Sequence, residues 1–224
     1  FLNIGGISNV TSTSKFLTIS KNTNSDLAHD VFASDIAPGN CLIDEWVRKN
    51  SKKKYDKDGL IAKSGKVNQL VLNQALDNYS VESYESFLPR SLDIKDYDIS
   101  FARGLSLEDG AATLTHLTAE LISEGLDRFM TKSYPHETNM LNRATILICG
   151  GGRKNKTLIE TIKKNCSKYF TIEPIDNYGV NGDFVESQAF AFLSIRTFLK
   201  LPLSFPSTTG CKKPTLGGEI VEFK

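Results

Sequence analysis

The sequence predicts an α/β fold in which a mixed β-sheet is flanked by helices. Residues 1–20 alternate short β-rich runs with turn residues, whereas residues 144–199 alternate apolar strands with helical segments. Strand–helix–strand units imply parallel strands covered by helices, because a parallel pair needs a long crossover connection. The two parts of the chain together predict one mixed sheet.

An antiparallel meander and a first helix are predicted from the N-terminal part. The runs "LNIGG", "ISNVT" and "FLTIS" are separated by Gly-Gly and by "STSK", which is typical of strands joined by turns. A following strand, "HDVFASD", leads to "APGN", where a helix begins. This strand therefore delivers Asp35 to a helix N-terminus. The helix has apolar residues at helical spacing, namely Leu42, Ile43, Trp46 and Val47.

The remaining elements complete a ribonuclease-H-like order. A polar stretch over 51–64, a helix over about 67–76 and an irregular stretch around "FLPRSLD" predict an insertion near 51–105. A long helix follows, with Ser106 as its N-cap. Strand "ATILIC", a Gly-Gly-Gly turn, a helix over 155–164, strand "YFTIEP", a helix over 183–199 and a Gly/Pro-rich tail come next.

Composition excludes several classes of function. The 224 residues include 27 Lys plus Arg and 26 Asp plus Glu, so no overall field attracts nucleic acid or anionic lipid. The four cysteines form no CxxC pair, which argues against a zinc site or a disulfide framework and favours a reducing cytoplasm. No run approaches the roughly 18 apolar residues of a membrane span. We therefore expect a cytoplasmic protein with neither a nucleic-acid nor a membrane partner.

The first candidate binding element is the turn in "NIGGISN". Glycines between two strands leave no Cβ over the backbone, so N–H groups can approach phosphate oxygens. Side chains could add further donors. The alternative is an ordinary hairpin turn, for which Gly-Gly is common. The candidate residues are Asn3, Gly5, Gly6, Ser8 and Asn9.

The second candidate is "LICGGGRKN", where an apolar strand runs into three glycines and then a helix. Helix N-terminal amides can receive a nucleotide phosphate there, and missing side chains make room for base and ribose. A plain strand-to-helix connection is the alternative, although three glycines are costly in conformational entropy. The candidate residues are Gly150, Gly151, Gly152 and Asn155.

Three acidic residues are candidates for catalysis or its support. Asp35 lies where a strand ends and a helix begins, so its carboxylate could project into a cleft as a general base. Asp44 could orient or pair in the next helix. Glu186 lies in the first turn of a later helix. The alternatives are a cap, a turn or a helix-dipole role. The three histidines form neither a metal-ligand pattern nor a triad.

Taken in order, these pieces resemble the anhydro-N-acetylmuramic acid kinase family of the sugar kinase and actin-like ATPase superfamily. The resemblance covers essentially the whole chain. The motifs that carry it are "LNIGGISNVT", "DIAPGNCLIDEW", "YDKDG", "LPRSLD", "EDGAATLTHLTA", "LICGGGRKN" and "GVNGDFVESQAFAFL".

The resemblance implies a reaction and roles for the candidate residues. The family is expected to use ATP with Mg²⁺ to open the 1,6-anhydro ring hydrolytically and phosphorylate O6, giving N-acetylmuramic acid 6-phosphate in bacterial cell-wall recycling. It implies Asp35 as the general base, the first glycine turn as a phosphate-binding turn and the second as the adenosine turn. Asn40, Asp44 and Glu186 are expected to support them, and no protein metal site is implied.

The resemblance also implies that residues 1–224 are the C-terminal lobe of a two-lobe enzyme. The first phosphate loop is then expected on an N-terminal lobe, encoded with this chain or apart from it, and a homodimer is a further expected partner. Ile36 and Ala37 stand where the family has Thr and Gly, Arg90 where it has Lys, and Ile94 where it has Arg. The alternative is an inactive or truncated fragment that acts at most as a nucleotide-binding module.

Overall fold

A mixed sheet organises the molecule. The computed structural model describes residues 1–13, 31–82, 91–133, 144–166 and 170–222. Five strands in these residues pair in the order β3-β2-β1-β4-β5. They are β1 (Leu2–Ile4), β2 (Ile7–Thr13), β3 (Val31–Pro38), β4 (Ala144–Cys149) and β5 (Phe170–Pro174).

The strand directions confirm the predicted mixed, ribonuclease-H-like sheet. Strand β2 runs antiparallel to both β1 and β3, whereas β4 is parallel to β1 and to β5. The carboxyl ends of β1, β3 and β4 therefore meet at one edge, which is where ligands bind in open α/β sheets. The predicted strand "FLTIS" lies outside the described residues. The third strand among the described residues, Val31–Pro38, contains most of the predicted strand "HDVFASD".

Seven α-helices occur in the described residues. They are α1 (Cys41–Asn50), α2 (Leu60–Ser64), α3 (Gln69–Glu82), α4 (Leu107–Ser133), α5 (Lys156–Cys166), α6 (Val185–Phe198) and α7 (Pro206–Thr209). Helix α2 lies at the end of the polar stretch over 51–64, where the buried Asp56 carboxylate accepts hydrogen bonds from the N–H groups of Ile61 and Ala62 at 2.8 and 2.9 Å. Helix α7 falls in the predicted loop-like tail.

Helix α4 forms the centre of the core. Its N-terminus is as predicted, since Ser106 Oγ accepts a hydrogen bond from the N–H of Asp109 at 3.0 Å. Fully buried Leu114 and Leu117 belong to the same apolar cluster as Leu2 and Ile4 of β1. Helices α1, α2, α3 and α5 also pack against α4. One face of the sheet is thereby covered.

Helix α6 forms where the sequence predicts it, but it buries none of its side chains in the described part of the chain. Phe190, Phe192 and Phe198 are each more than half exposed. Helices that carry apolar residues on several faces are usually covered by other elements. Its apolar surface is therefore not part of the buried core of the described residues. Over the described residues, no helix combines the length and hydropathy needed to cross a bilayer.

Candidate nucleotide site

A row of polar side chains crosses the sheet close to its carboxyl edge. Asn3 of β1 lies opposite Asn9 of β2, and Asn9 lies opposite Asp35 of β3. Opposed residues of neighbouring strands project from the same face. This face is the one that does not carry the buried Leu2 and Ile4. The register therefore brings three predicted site residues onto one face at one edge.

A β-bulge aims Asp35 at this face. Ser8 pairs with Ala37 whereas Asn9 pairs with Asp35, so Ile36 has no opposite residue on β2. Bulges of this kind re-aim side chains next to functional sites. Ile36 instead packs on α4, where a Cβ atom on Gly125 would lie 2.9 Å from Ile36 Cβ. Ile36, one of the residues that depart from the family pattern, is thus directed toward the core.

The Asp35 carboxylate is half-buried and held by the predicted insertion. The backbone N–H of Leu92 donates to Asp35 Oδ2 at 2.9 Å. Burial raises the pKa of the Asp35 carboxyl above its usual value, and the Leu92 hydrogen bond opposes that shift. The "LPRSLD" motif therefore reaches the candidate base through the backbone of Leu92. Pro89 and Arg90 lie outside the described residues.

The N-terminus of α1 packs against the Gly5–Gly6 turn. The N–H of Gly39 donates to the Gly6 carbonyl at 2.9 Å, and that of Asn40 donates to the Gly5 carbonyl at 2.7 Å. Asn40 Nδ2 also donates to the Gly5 carbonyl, at 3.0 Å. A Cβ atom on Gly39 would lie 2.3 Å from the same oxygen. Asn40 therefore supports the predicted phosphate turn by fixing its backbone.

Steric space distinguishes the turn from an ordinary hairpin. Neither Gly5 nor Gly6 adopts a left-handed backbone conformation. A Cβ atom on Gly5 would lie 3.4 Å from its nearest non-adjacent neighbour, and one on Gly6 would lie 3.7 Å from Ile94 Cγ2. Backbone conformation and packing therefore leave room for a side chain at both positions. Ser8 is fully buried, and its hydroxyl donates to the Pro38 carbonyl at 3.1 Å.

The three glycines after β4 lack side chains for different reasons. Gly150 has φ +79°, and a Cβ atom there would lie 2.3 Å from Asn3 Oδ1. A Cβ atom on Gly152 would lie 2.2 Å from Ile4 Cγ2. In contrast, a Cβ atom on Gly151 would meet no atom of the described chain within 4 Å. Close packing on β1 explains the outer two glycines, and Gly151 faces open space.

Asn155 caps the helix that follows this turn. It is buried, and its Oδ1 accepts a hydrogen bond from the N–H of Leu158 at 3.0 Å. The "YDKDG" segment docks here, because Thr157 Oγ1 donates to the Gly59 carbonyl at 2.8 Å. A Cβ atom on Gly59 would lie 2.1 Å from Asn155 Oδ1. The Asn155 side chain therefore stabilises the start of the helix that follows the turn.

The two other predicted supporting carboxylates differ in environment. Asp44 is half-buried in α1, and burial raises its pKa to about 6, with nearby Asp56 raising it and Arg48 opposing. Glu186 is exposed in the first turn of α6, where an acidic side chain complements the helix dipole. Across the described ranges, no three metal-ligating side chains lie together.

Sequence reasoning missed two contacts of this site. The Leu92 N–H group is a backbone donor that no residue type announces. Arg153 follows the three glycines, and its guanidinium pairs with Asp176 and Asp183 of the loop after β5. The available signal for that pairing was the two acidic residues of "IDNYGVNGD", in the loop that follows the strand after Arg153.

The fold and these turns define a class before any particular family. The class is an α/β domain with a mixed, ribonuclease-H-like sheet, whose glycine turns and Asp35 carboxylate lie at the carboxyl edge of the strands. The family model described as anhydro-N-acetylmuramic acid kinase matches residues 1–222. The chain belongs to this family.

Curated relatives carry the same family name, and the chain matches them over about half of their length. The chain is 48% identical over 221 residues to the anhydro-N-acetylmuramic acid kinase of Pelagibacter ubique, covering 99% of this chain and 54% of that protein. It is 35% identical over 219 residues to the one from Zymomonas mobilis, covering 98% and 53%.

A solved structure is similar at a much lower level. The activator of the 2-hydroxyisocaproyl-CoA dehydratase from Clostridium difficile with bound ADPNP matches 77% of this chain and 52% of its own. The TM-score is 0.39 and the identity 11%. A likeness of this size carries no conclusion about function.

Proposed function

We propose that the full-length gene product is an ATP-dependent anhydro-N-acetylmuramic acid kinase, to which this chain contributes the general base and two nucleotide-binding turns. The observation that carries the proposal is the row Asn3, Asn9 and Asp35, which ends at the edge bearing both turns. Substrate, base and nucleotide would then meet at a single edge of the sheet. The cytoplasm, which supplies ATP, is the proposed compartment.

Room for an added Cβ atom at three glycines supports nucleotide binding. Packing accounts for Gly150 and Gly152, but it does not account for Gly5, Gly6 or Gly151. A phosphate chain lying over the first turn and an adenosine over the second would use this space. Asn3 joins the two turns, since it pairs with Asn9 beside the first and contacts Gly150 of the second.

Asp35 is proposed to activate water. Its carboxylate takes one proton from the water, whose oxygen bonds to the anomeric carbon C1. The C1–O6 bond of the anhydro bridge breaks, and O6 bonds to the γ-phosphorus of ATP as ADP leaves. The products are N-acetylmuramic acid 6-phosphate, ADP and a proton. The Leu92 N–H group fixes the carboxylate during this step. The raised pKa of Asp35 makes its carboxylate a better base than a solvated one.

Mg²⁺ is proposed to enter as the Mg·ATP substrate. Phosphate oxygens and water supply most of its ligands in kinases. This chain's part is then to position the phosphates through the Gly5–Gly6 turn and α1. The family's first phosphate loop is expected in the part of the relatives that this chain does not span, so activity is assigned to the full-length protein.

An assay of the full-length gene product tests the proposal. Supplied with Mg·ATP and 1,6-anhydro-N-acetylmuramic acid, it should release ADP only when the sugar is present and form one N-acetylmuramic acid 6-phosphate per ADP. ATP binding without any sugar product would favour the nucleotide-binding module instead. That alternative has some support in Ile94, which is exposed near Gly6 where the family has an Arg.

A further inference from the structure

Arg153 follows the glycine turn, and its side chain is engaged by the loop after β5. The guanidinium group belongs to a side chain that is only 7% exposed. Nε and Nη2 donate to the two carboxylate oxygens of Asp176 at 2.9 and 3.2 Å. Nη1 donates to Asp183 Oδ1 at 2.8 Å and to the Gly150 carbonyl at 3.1 Å. Four hydrogen bonds thus engage a cation that would otherwise resemble a phosphate ligand.

The same cluster fixes the loop after β5 against the turn. The N–H of Gly182 donates to Asp176 Oδ1 at 3.2 Å. A Cβ atom on Gly182 would lie 2.4 Å from Arg153 Nε, so this glycine packs directly on the Arg side chain. Lys154 Nζ adds a bond to Asp183 Oδ2 at 2.8 Å. Residues separated by about 30 positions in the chain therefore hold one another at the edge of the sheet.

The charges persist over the working pH range. The Arg153 guanidinium lowers the pKa of Asp176 to about 2 and holds the pKa of Asp183 below its usual value. Both carboxylates are exposed to solvent, so their pairing with Arg153 is sensitive to salt. The planar, bidentate geometry toward Asp176 is one that Lys cannot reproduce.

We infer that Arg153, with Asp176 and Asp183, is a positioning residue that holds the Gly150–Gly152 turn in the shape that receives a nucleotide. The inference rests on the proposed function. Gly150 has a positive φ of +79°, which favours glycine, and its carbonyl accepts a hydrogen bond from Arg153 Nη1. Loss of this bond frees the open side of the turn, where Gly151 lies, to change shape. The nucleotide then has to order the turn when it binds.

The test compares how substitutions in the full-length gene product change the KM for Mg·ATP and the KM for the anhydro sugar. Arg153→Met and Asp176→Asn should each raise the KM for Mg·ATP at least about threefold, and weaken calorimetric Mg·ADP binding equally, while the KM for the anhydro sugar stays unchanged. Arg153→Lys should behave like Arg153→Met. The difference between wild type and Asp176→Asn should shrink in about 1 M NaCl, because salt screens the pair.

Lys154→Met is the matched control. Lys154 neighbours Arg153 but is more than half exposed and pairs with Asp183 alone, so its Mg·ADP affinity should stay within about twofold of wild type. A merely structural role would lower the unfolding temperature and the active fraction without moving either KM. Unchanged nucleotide affinity in Asp176→Asn and Arg153→Met would overturn this inference but leave the proposed function standing. A wild-type protein that binds no nucleotide would overturn the proposed function as well.

Discussion

Among single residues, Gly151 separates a ligand turn from a plain connection most clearly. Gly150 and Gly152 contact β1, whereas the space beside Gly151 is open. We expect Gly151→Ala to leave the unfolding temperature unchanged and to weaken Mg·ADP binding at least about fivefold, since a methyl group in an occupied space costs about 1 kcal/mol or more. Calorimetric titration and thermal unfolding of the full-length protein measure the two effects.

Gly152→Ala provides the contrast. Its new methyl group would meet Ile4 Cγ2, so we expect a destabilisation of about 1–3 kcal/mol from overpacking. Equal nucleotide affinity in wild type and Gly151→Ala would show that the open space is not the nucleotide site.

Asp44 gives a pH dependence of stability. Its folded-state pKa is raised to about 6 from a usual value of 3.8. Between these values the folded state keeps a proton that the unfolded state has released. The carboxyl therefore contributes stability below about pH 4, and this contribution is lost as the pH rises through about 6.

Asp44→Asn removes this loss. We expect the unfolding temperature of the variant, relative to wild type, to rise between pH 4 and 6 and then stay level. The gain should be about 1 kcal/mol, or about 2–4 °C, because solvent screens a half-exposed group. Glu45→Gln is the matched control, because Glu45 is next on the same helix but pairs with Lys49 at the surface. A difference that is constant over this pH range would refute the assignment.

At the scale of elements, the contact between α1 and α4 depends on a glycine. A Cβ atom on Gly110 would lie 2.2 Å from two atoms of the Trp46 indole. The indole cannot withdraw freely, because Trp46 Nε1 donates to the Leu107 carbonyl at 2.9 Å. We expect Gly110→Ala to lower stability by about 1–3 kcal/mol, despite the higher helix propensity of alanine.

A double-mutant cycle checks the cause of this effect. Phe at position 46 lacks the part of the indole that the new methyl group would meet. The penalty of Gly110→Ala, measured by denaturant unfolding, should therefore be smaller in a Trp46→Phe background than in wild type. Equal penalties in both backgrounds would place the strain elsewhere.

Elements with strong local signals were predictable from the sequence. Ser106 and the apolar spacing after it predicted α4, and the glycines after "ATILIC" predicted the turn between β4 and α5. Contacts between distant segments were not predictable, because they depend on tertiary packing. Leu92 reaches Asp35 across 57 positions of the chain. Asn155 resembles a ligand residue in sequence, but its buried oxygen caps a helix.

Helix α6 shows the same limit. Its sequence predicted a helix, and a helix forms, yet periodicity does not say what covers it. Apolar side chains occur on several of its faces, so no single stripe identifies a partner. The polar stretch over 51–64 is a related case. Its sequence did not by itself predict helix α2, which follows a buried Asp56 that accepts hydrogen bonds from two backbone N–H groups.

For the whole molecule, the sheet edge brings together residues from distant parts of the chain. Asn3 and Asp35 lie on β1 and β3, and Gly150 directly follows β4; the carboxyl ends of these three strands meet. The chain spans about half the length of the curated relatives it matches. The proposed catalytic cleft therefore needs the full-length gene product, and the row through Asp35 forms one wall of it.

The most direct measurement compares turnover with nucleotide binding in Asp35→Asn. The full-length variant and wild type are supplied with Mg·ATP and 1,6-anhydro-N-acetylmuramic acid, and N-acetylmuramic acid 6-phosphate is quantified by mass spectrometry. Asn keeps the size of Asp35 but cannot accept the proton, so we predict a loss of kcat of at least about 100-fold with Mg·ADP affinity within twofold of wild type. Turnover close to wild type in Asp35→Asn would show that Asp35 is not the general base.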